Sequence, residues 1–370
     1  MAPYIGADGE FTPLSPSRLL DTRDSAPIGP GGSIEVQVTG RNGVPAEHVS
    51  AVVLNATVTE PTASGFVTIW PTGDERPVIS SLNFVPGLTV PNLVTVAVGD
   101  DGQLSLFNSH GHSHVLLDIA GYYTTAEGNR GSRFVAVTPN RILDSRIGLG
   151  RAGRLGPGES TRLQVTGTPA SPTSGVVTAA VLNVTAVDAT APSYVTVYPS
   201  DVQRPVASNL NTRPGPPVPN LVAVQLSPTG SVDLFNRAGS VDLVVDVAGY
   251  YVIDYSSERG RFVPVSPYRL EDSREAPEGR LPAEYFVYYE WPENPYSAIV
   301  LNVTATEPSG SGFFTLYPYP GDPPTASNVN FVPHQVVPNA AIVATSPGFA
   351  MYHGGSGATH FVIDVFGVFI

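Results

Sequence analysis

Arg18-Leu-Leu-Asp21-Thr-Arg23 is the first of three similar stretches in the chain. The other two are Arg141-Ile-Leu-Asp144-Ser-Arg146 and Arg269-Leu-Glu-Asp272-Ser-Arg274. The copies lie roughly 120 residues apart, a spacing typical of a domain and far above the period of a solenoid repeat. The stretch therefore predicts three homologous domains in tandem. Their expected bounds are residues 1–123, 134–251 and 262–370.

Shorter sequence motifs, called words below, follow each copy in a constant order. In the first block they are Val53-Leu-Asn-Ala-Thr57, Ser81-Leu-Asn-Phe84, Val90-Pro-Asn-Leu93 and Leu117-Asp-Ile-Ala-Gly-Tyr122. The junctions between blocks, 124–133 and 252–261, are short, polar and charged. Each block is long enough to fold alone, and junctions of this length should hold neighbours close.

Composition excludes several classes of protein. The net charge is -13 and all 19 basic residues are Arg, which argues against a nucleic-acid partner. The chain has no Cys, so it has neither a disulfide framework nor a thiolate site. No apolar run approaches the length of a membrane span, and the first residues lack the basic and apolar regions of a signal peptide.

Apolar and polar residues alternate in short runs separated by turn residues, as in Ser33–Thr39 and Val52–Thr59. Phe11–Arg23 carries two prolines and is expected at a sheet edge. The pattern predicts an all-β fold of three sandwich-like domains with about eight strands each. An alternative stays open, in which Val52–Phe84 and Asn92–Tyr123 form separate sheets and the chain closes as one six-bladed propeller-like ring.

Together these words resemble a repeat module of secreted and surface-attached proteins of high-GC Gram-positive bacteria, with related modules on phage tail and particle proteins. The resemblance covers nearly the whole chain. It implies an accessory, structural or adhesive role, since such modules carry no established catalytic residues. The third block departs most, with Met351-Tyr-His353 in place of Leu106-Phe-Asn108, and Phe366-Gly-Val-Phe369 in place of Ala-Gly-Tyr-Tyr.

Each block places one aspartate inside an apolar strand, where a carboxylate is costly unless it is paired. The first Arg of each opening stretch is the candidate partner, and this structural pairing is favoured over three Ca²⁺ sites because the acidic residues are not densely alternated. The predicted pairs are Arg18 with Asp118, Arg141 with Asp246, and Arg269 with Asp364.

Two further patterns have simple structural interpretations. Asn55-Ala-Thr57 and its two counterparts match an N-glycosylation site, but they lie in mid-strand, so hydrogen bonding explains them better. His110-Gly-His112-Ser-His114 is expected at a solvated hairpin tip and not as a metal site. No metal or other cofactor is predicted.

The third block has an aromatic run, Tyr285-Phe-Val-Tyr-Tyr-Glu-Trp291, where the first block has Ile34–Val38. Alternation places one set of these side chains outward, which is typical of protein interfaces and of sugar-stacking platforms. Packing of one face on the second block is the competing interpretation. The candidate interface residues are Tyr285, Tyr288, Tyr289, Trp291, Tyr296, Tyr317 and Tyr319.

These observations predict a non-enzymatic structural or adhesive protein of an extracellular surface or a phage-like particle. We expect protein partners in an assembly, including further copies of this chain, and recognition through the third domain. Because the final residues Val368-Phe-Ile370 are apolar, we expect another molecule to cover them. The rival interpretation is a carbohydrate-binding, lectin-like module with a cell-surface glycan as its ligand.

Overall fold

The computed structural model describes residues 7–125, 130–256, 258–291, 293, 295–345 and 347–370. Met1 and part of the first junction, residues 126–129, therefore lie outside the described residues. The described residues form 25 β-strands and two three-residue 3-10 helices, Thr22–Asp24 and Asp100–Gly102. None of their helices has the length and apolar character needed to cross a membrane. The all-β prediction is confirmed.

The first repeat contributes eight strands: β1 Gly9–Asp21, β2 Ser33–Gln37, β3 Val49–Thr59, β4 Gly65–Pro71, β5 Leu82–Phe84, β6 Val90–Ala97, β7 Gln103–Asn108 and β8 His114–Thr125. The second contributes eight more: β9 Arg133–Asp144, β10 Ser160–Gln164, β11 Val176–Val187, β12 Ser193–Pro199, β13 Leu210–Thr212, β14 Val218–Gln225, β15 Ser231–Asn236 and β16 Asp242–Ile253. The third contributes nine: β17 Phe262–Asp272, β18 Leu281–Pro282, β19 Tyr285–Glu290, β20 Ala298–Thr306, β21 Gly312–Tyr319, β22 Val329–Phe331, β23 Val336–Ala344, β24 Gly348–Gly355 and β25 Ala358–Phe369.

Every repeat is a sandwich of two antiparallel sheets with the same strand order. In the first repeat, β6-β3-β8-β1 forms the inner sheet and β2-β7-β4-β5 forms the outer sheet. The second and third repeats follow this order, with β18 added beside β25. Three sandwich-like domains are thus present, as the repeat predicts.

The propeller-like alternative is wrong, because strands that it groups together lie in different sheets. β3 pairs with β6 and β8 in the inner sheet, whereas β4 and β5 belong to the outer sheet. The connections cross from one layer to the other within each repeat, so the apolar faces of both sheets meet inside a single sandwich.

Strand patterns agree with these positions. Leu54, Ala56 and Val58 alternate along β3 and point into the core of the first sandwich, which they share with Ile69 and Leu106 of the outer sheet. The edge strand β2 is buried on one face only. β3, in contrast, is buried along almost its whole length, because its second face also meets apolar partners.

The second faces of the three inner sheets meet in a common central core. Ala51 and Val53 of the first repeat, Val181 of the second, and Val300 and Ile342 of the third belong to one buried cluster. Each repeat therefore completes two cores, one of its own and one that it shares. The inner sheets of the first and third repeats also join directly, because Gly9 pairs with Phe262.

Six aromatic rings fill one end of the central core, and each of three stacked pairs links two repeats. Phe11 stacks on Tyr251 at a centroid distance of 4.0 Å, Phe134 on Phe369 at 4.5 Å, and Phe262 on Tyr123 at 4.4 Å. The terminal Phe369 is fully buried in this cluster. Other repeats of the same chain therefore cover Phe369, while Val368 and Ile370 pack on the core of the third repeat itself. The expectation of a second molecule there is wrong.

The same cluster explains the glycine of the word Asp-Val-Ala-Gly-Tyr. A Cβ on Gly121 would lie 2.4 Å from the ring of Phe11, and one on Gly249 or Gly367 would lie 2.3 Å from Phe134 or Phe262. Only glycine lets the aromatic ring of the neighbouring strand lie against the backbone at this point.

We expect the three repeats to unfold as one unit, because a single repeat would expose its share of the central core. The full chain should show one thermal transition by circular dichroism, while a fragment of residues 130–256 should lack cooperative unfolding. A fragment that unfolds sharply within a few degrees of the full chain would show instead that each sandwich is stable alone.

Candidate functional site

Each inner sheet carries a buried cross-strand row of three polar side chains. In the first repeat, Asn55 on β3 lies opposite Asp118 on β8, and Asp118 lies opposite Arg18 on β1. The second repeat has Asn183, Asp246 and Arg141 in this order, and the third has Asn302, Asp364 and Arg269.

The structure brings all three predicted Arg-Asp pairs into contact. The Nε atom of Arg18 lies 2.6 Å from Oδ1 of Asp118. The corresponding distances are 2.9 Å for Arg141 and Asp246, and 2.5 Å for Arg269 and Asp364. The aspartates are buried while the arginines remain partly exposed, so the guanidinium groups connect the sheet interior to its edge.

A second carboxylate and a second arginine complete the repeated stretch. Nη1 of Arg18 also contacts Oδ2 of Asp21 at 2.6 Å, and Asp21 accepts a further hydrogen bond from Nη2 of Arg23 at 2.5 Å. The stretch Arg-Leu-Leu-Asp-Thr-Arg is thus a chain of alternating charges that ends at the strand aspartate. The charged groups of this stretch pair with one another, which is typical of a structural role.

The two kinds of aspartate have opposite pKa shifts. The hydrogen bond from Arg23 lowers the pKa of Asp21 to about 2. Burial raises the pKa of Asp364 to about 6 against the opposing effect of Arg269. Oδ2 of Asp364 has no hydrogen-bond partner among the described residues, whereas Arg141 reaches Oδ2 of Asp246 at 3.2 Å.

The asparagine of each row links its repeat to the next. Oδ1 of Asn55 accepts a hydrogen bond from Asn220 at 2.9 Å, and Nδ2 of Asn55 donates to the carbonyl of Ser208 at 2.8 Å. The second repeat binds the third through Asn183 and Asn339 at 2.9 Å, and the third binds the first through Asn302 and Asn92 at 2.9 Å.

These amide contacts form a closed cycle around the central core. Asn55, Asn183 and Asn302 are almost completely buried, so their Asn-x-Thr words are inaccessible to a glycan in the folded protein. Hydrogen bonding does explain the pattern, but the partner is the next repeat and not a neighbouring strand of the same sheet.

The histidine stretch lies in the loop that leads from β7 of the outer sheet to β8 of the inner sheet, and His114 is the first residue of β8. The expected hairpin tip is wrong, because these two strands do not pair. His110 and His112 are exposed, while Nδ1 of His114 lies 3.1 Å from the hydroxyl of Thr22. His360 makes the equivalent contact with Ser273 at 3.0 Å in the third repeat. Within the ranges that the structure describes, no three His, Cys, Asp or Glu side chains come together as a metal-binding group.

The departure at Met351-Tyr-His353 also has a structural reason. Asn108 donates to the carbonyl of Ile28 at 2.9 Å, and Asn236 donates to that of Leu155 at 3.1 Å. His353 occupies the equivalent place, where its Nδ1 lies 3.0 Å from the carbonyl of Leu281. Burial lowers the pKa of His353, which favours the neutral imidazole in this role.

The predicted interface residues of the third repeat divide between its surface and its core. Tyr285 is 64% exposed and Tyr288 is 54% exposed, and Phe286 between them is 50% exposed. Tyr288 stacks on the half-buried Tyr319 at 4.7 Å. These four rings form the aromatic edge of the third repeat, and we use this name for them below.

The remaining candidates are mainly packing residues. Tyr317 is only 2% exposed, so its assignment to an interface is wrong. Tyr289 stacks on Phe349 at 4.8 Å, and its hydroxyl donates to Glu271. Trp291 and Tyr296 also pack against the sandwich core. This face of the strand lies on the third repeat itself, so the interpretation of packing on the second repeat is wrong too.

Three of the four rings lie on an edge strand, because β19 is the first strand of the outer sheet β19-β24-β21-β22. Tyr319 lies on β21. By register with β7, β15 and β24, Tyr288 corresponds to Glu35 of β2 and to Arg162 of β10. Charged side chains protect edge strands from pairing with other chains. The third repeat has no charge at this position, and the exposed charged residue of β19 is Glu290 at its end.

A groove of about 640 Å³ lies beside the aromatic edge, between β19 and the segment before it. Tyr285, Phe286 and Tyr288 line one side, while Glu278 and Arg280 contribute charged groups. Aromatic faces beside hydrogen-bonding groups are suited to a protein side chain or to a sugar ring.

Comparisons with known proteins do not identify a family for this chain. No family model matches the chain, and no curated protein matches it either. A solved chain from an archaeal virus, described by its triple jelly roll fold and turret assembly, is 10% identical, with a TM-score of 0.20 over 99% of this chain and 90% of that chain. A chain from the Sulfolobus Turreted Icosahedral Virus is 10% identical, with a TM-score of 0.19 over 99% and 91%. Similarity at this level indicates neither a shared architecture nor a shared function.

Asp246→Ala should lower the free energy of unfolding by about 3 kcal/mol, because Arg141 loses two hydrogen bonds to a buried carboxylate and keeps only the longer contact with Asp144 at 3.4 Å. Asp233→Ala is a matched control, since Asp233 pairs with the exposed Arg162 at 3.1 Å and its loss should cost less than about 1 kcal/mol. Denaturant titration measures both. Equal losses of unfolding free energy in the two variants would mean that the buried Asp246 stabilises the protein no more than the exposed pair does.

The raised pKa of Asp364 predicts that stability falls as pH rises from about 4 to about 6. The folded state holds the proton of Asp364 in this window, whereas an unfolded Asp with a pKa of 3.8 has lost it. Asp21, Asp144 and Asp272 have lowered pKa values, so they lose stability only below this window.

The test is the free energy of unfolding of wild type and Asp364→Asn between pH 4 and pH 6. The variant should show a smaller decline than wild type, because Asn does not titrate while Arg269 and Asp272 beside it keep their charges. Part of the decline should remain, since burial raises the pKa values of Asp118 and Asp246 as well. Asp246→Asn should also reduce the decline, because burial raises the pKa of Asp246 in the same direction. An unchanged slope in Asp364→Asn would refute the assignment.

Proposed function

We propose that this protein is a non-enzymatic structural component of an assembly, and that the aromatic edge of the third repeat is its contact with another protein chain. The observation that carries the proposal is the contrast between three equivalent edge strands. Two of them present Glu35 and Arg162 outward, and the third presents Tyr288 beside Phe286.

The energetics favour an interface at this strand. Exposed aromatic side chains grouped at one place on a soluble protein mark sites of association, and tyrosine is enriched at the centres of interfaces. β19 also presents one unpaired backbone side, to which a strand of another chain can add. Burial of Phe286 and Tyr288 at the centre of such a contact would contribute about 2 kcal/mol each.

The partner class that suits this edge is another copy of the chain or a second protein of the same assembly. The rest of the fold supplies a rigid support, because three sandwiches around one core hold the edge strand in place. The repeated words resemble modules of bacterial surfaces and phage particles, which supports an extracellular surface or a phage-like particle as the setting.

Carbohydrate binding is the second candidate, and the groove beside Tyr285 and Phe286 favours it. A sugar ring could stack on these aromatic faces while Glu278 and Arg280 bind its hydroxyls. This function would use the groove and would not need the free backbone side of β19.

The chain provides its own template for the test. Phe286 corresponds to Ser33 and Tyr288 to Glu35, so Phe286→Ser with Tyr288→Glu converts the third edge into the first. We expect wild type to self-associate with increasing concentration in sedimentation velocity, and the double variant to remain monomeric. Glu35→Ala is the control, and it should associate as wild type does.

Other outcomes separate the alternatives. Equal association of wild type and the double variant would exclude the aromatic edge as the contact. If wild type stays monomeric but binds oligosaccharides on a glycan array, and the double variant does not, the carbohydrate function replaces the proposed one. Circular dichroism of both proteins controls for folding.

A further inference from the structure

A second cavity lies where all three repeats meet, on the far side of the amide cycle from the aromatic cluster. Its volume is about 350 Å³, within the range of pockets that bind small molecules. Val90 and Pro91 of the first repeat line it, with their counterparts Val218 and Pro219, and Val337 and Pro338.

The walls of this pocket are apolar because of the word Val-Pro-Asn. In each repeat the asparagine of this word is used in the amide cycle, whereas the valine and proline before it face the pocket. One word therefore builds both the contact between repeats and the apolar wall. The three copies of this word, one from each repeat, line the pocket together.

Asparagines at equivalent positions of the three repeats line the pocket. The oxygen of Asn83 accepts a hydrogen bond from Ser80 at 2.9 Å, and Asn211 and Asn330 accept equivalent bonds from Ser208 and Ser327. Each of these bonds uses one lone pair of an amide oxygen and fixes the orientation of the side chain. The amide nitrogens make no hydrogen bond within the described residues, so they remain available as donors.

One cation stands among these groups. Arg213 lines the pocket and is half-buried, and among the described residues no hydrogen bond or ion pair engages its guanidinium. The first repeat has Val85 at the equivalent position, where it also lines the pocket. A cation without a partner beside apolar walls is unusual in a protein of net charge -13.

We propose that this pocket binds a small amphiphilic carboxylate, whose apolar chain packs on the three Val-Pro pairs and whose carboxylate pairs with Arg213. The apolar chain would lose its contact with water against the walls. The carboxylate would supply the acceptors that Arg213 and the amide nitrogens lack, in the charge-assisted geometry that guanidinium groups favour. The site is separate from the aromatic edge, and the inference does not depend on the proposed function.

Isothermal titration with octanoate tests the proposal on the full chain. We expect saturable binding of one octanoate per chain and much weaker binding of octylammonium, which has the same chain length and the opposite charge. Arg213→Val should weaken octanoate binding by about 10- to 100-fold, the range expected for loss of a hydrogen bond to a charged group.

Because Val85 and Arg213 line the pocket at equivalent positions of two repeats, a second substitution can test whether octanoate binding is restored. Val85→Arg in the Arg213→Val background places the cation at the equivalent position of the first repeat and should restore octanoate binding. Phe286→Ser with Tyr288→Glu should leave octanoate binding unchanged, because these residues lie outside the pocket. Thermal unfolding checks that each variant is folded.

Three results with wild type and Arg213→Val would overturn the proposal. They are the absence of saturable octanoate binding to wild type, equal octanoate affinity in wild type and folded Arg213→Val, and equal affinity of wild type for octanoate and octylammonium. Loss of octanoate binding in the aromatic-edge variant would assign the ligand to that edge and would equally exclude the pocket.

Discussion

Hydrogen bonds between buried asparagines hold the three repeats in one arrangement. An amide such as Asn183 is costly to bury without partners, so its contacts with Asn339 and with the carbonyl of Ser327 strongly disfavour other relative positions of the two repeats. The apolar surface around it supplies most of the stabilisation, but apolar contacts are non-directional and do not fix the relative orientation of the repeats. The amide hydrogen bonds fix this orientation, and the cycle closes because the third repeat binds the first in the same way.

Closure of this cycle determines the character of the inner sheets. A sheet with one solvated face alternates strictly, but β3, β11 and β20 are buried on both faces and therefore combine apolar residues with a few fully bonded polar ones. The Arg-Asp pairs belong to the same layer. Residues that recur in all three repeats thus serve the common framework, and they leave the outer sheets free to diverge.

The outer sheet of the third repeat has diverged in one direction. Its edge strand has exchanged charge for exposed aromatic surface, and it keeps Val287 and Tyr289 on the core side, where the first repeat has Ile34 and Val36. Packing inside the sandwich is therefore preserved while the outer surface changes. The pocket diverges in a similar way, since Arg213 stands where the first repeat has an apolar residue.

Sequence was enough to predict the number of repeats, the all-β class, and the pairing of Arg141 with Asp246, because repetition and period-two alternation are local properties that a reader can count. It did not determine which face of Tyr317 or Phe369 is covered, since the covering atoms come from loops and repeats far away in the chain. The partner of Asn55 was equally hidden, because Asn220 lies in another repeat and only the folded chain brings the two amides together. Tertiary structure alone decided these contacts, for burial depends on what packs against a strand and not on the strand's own residues.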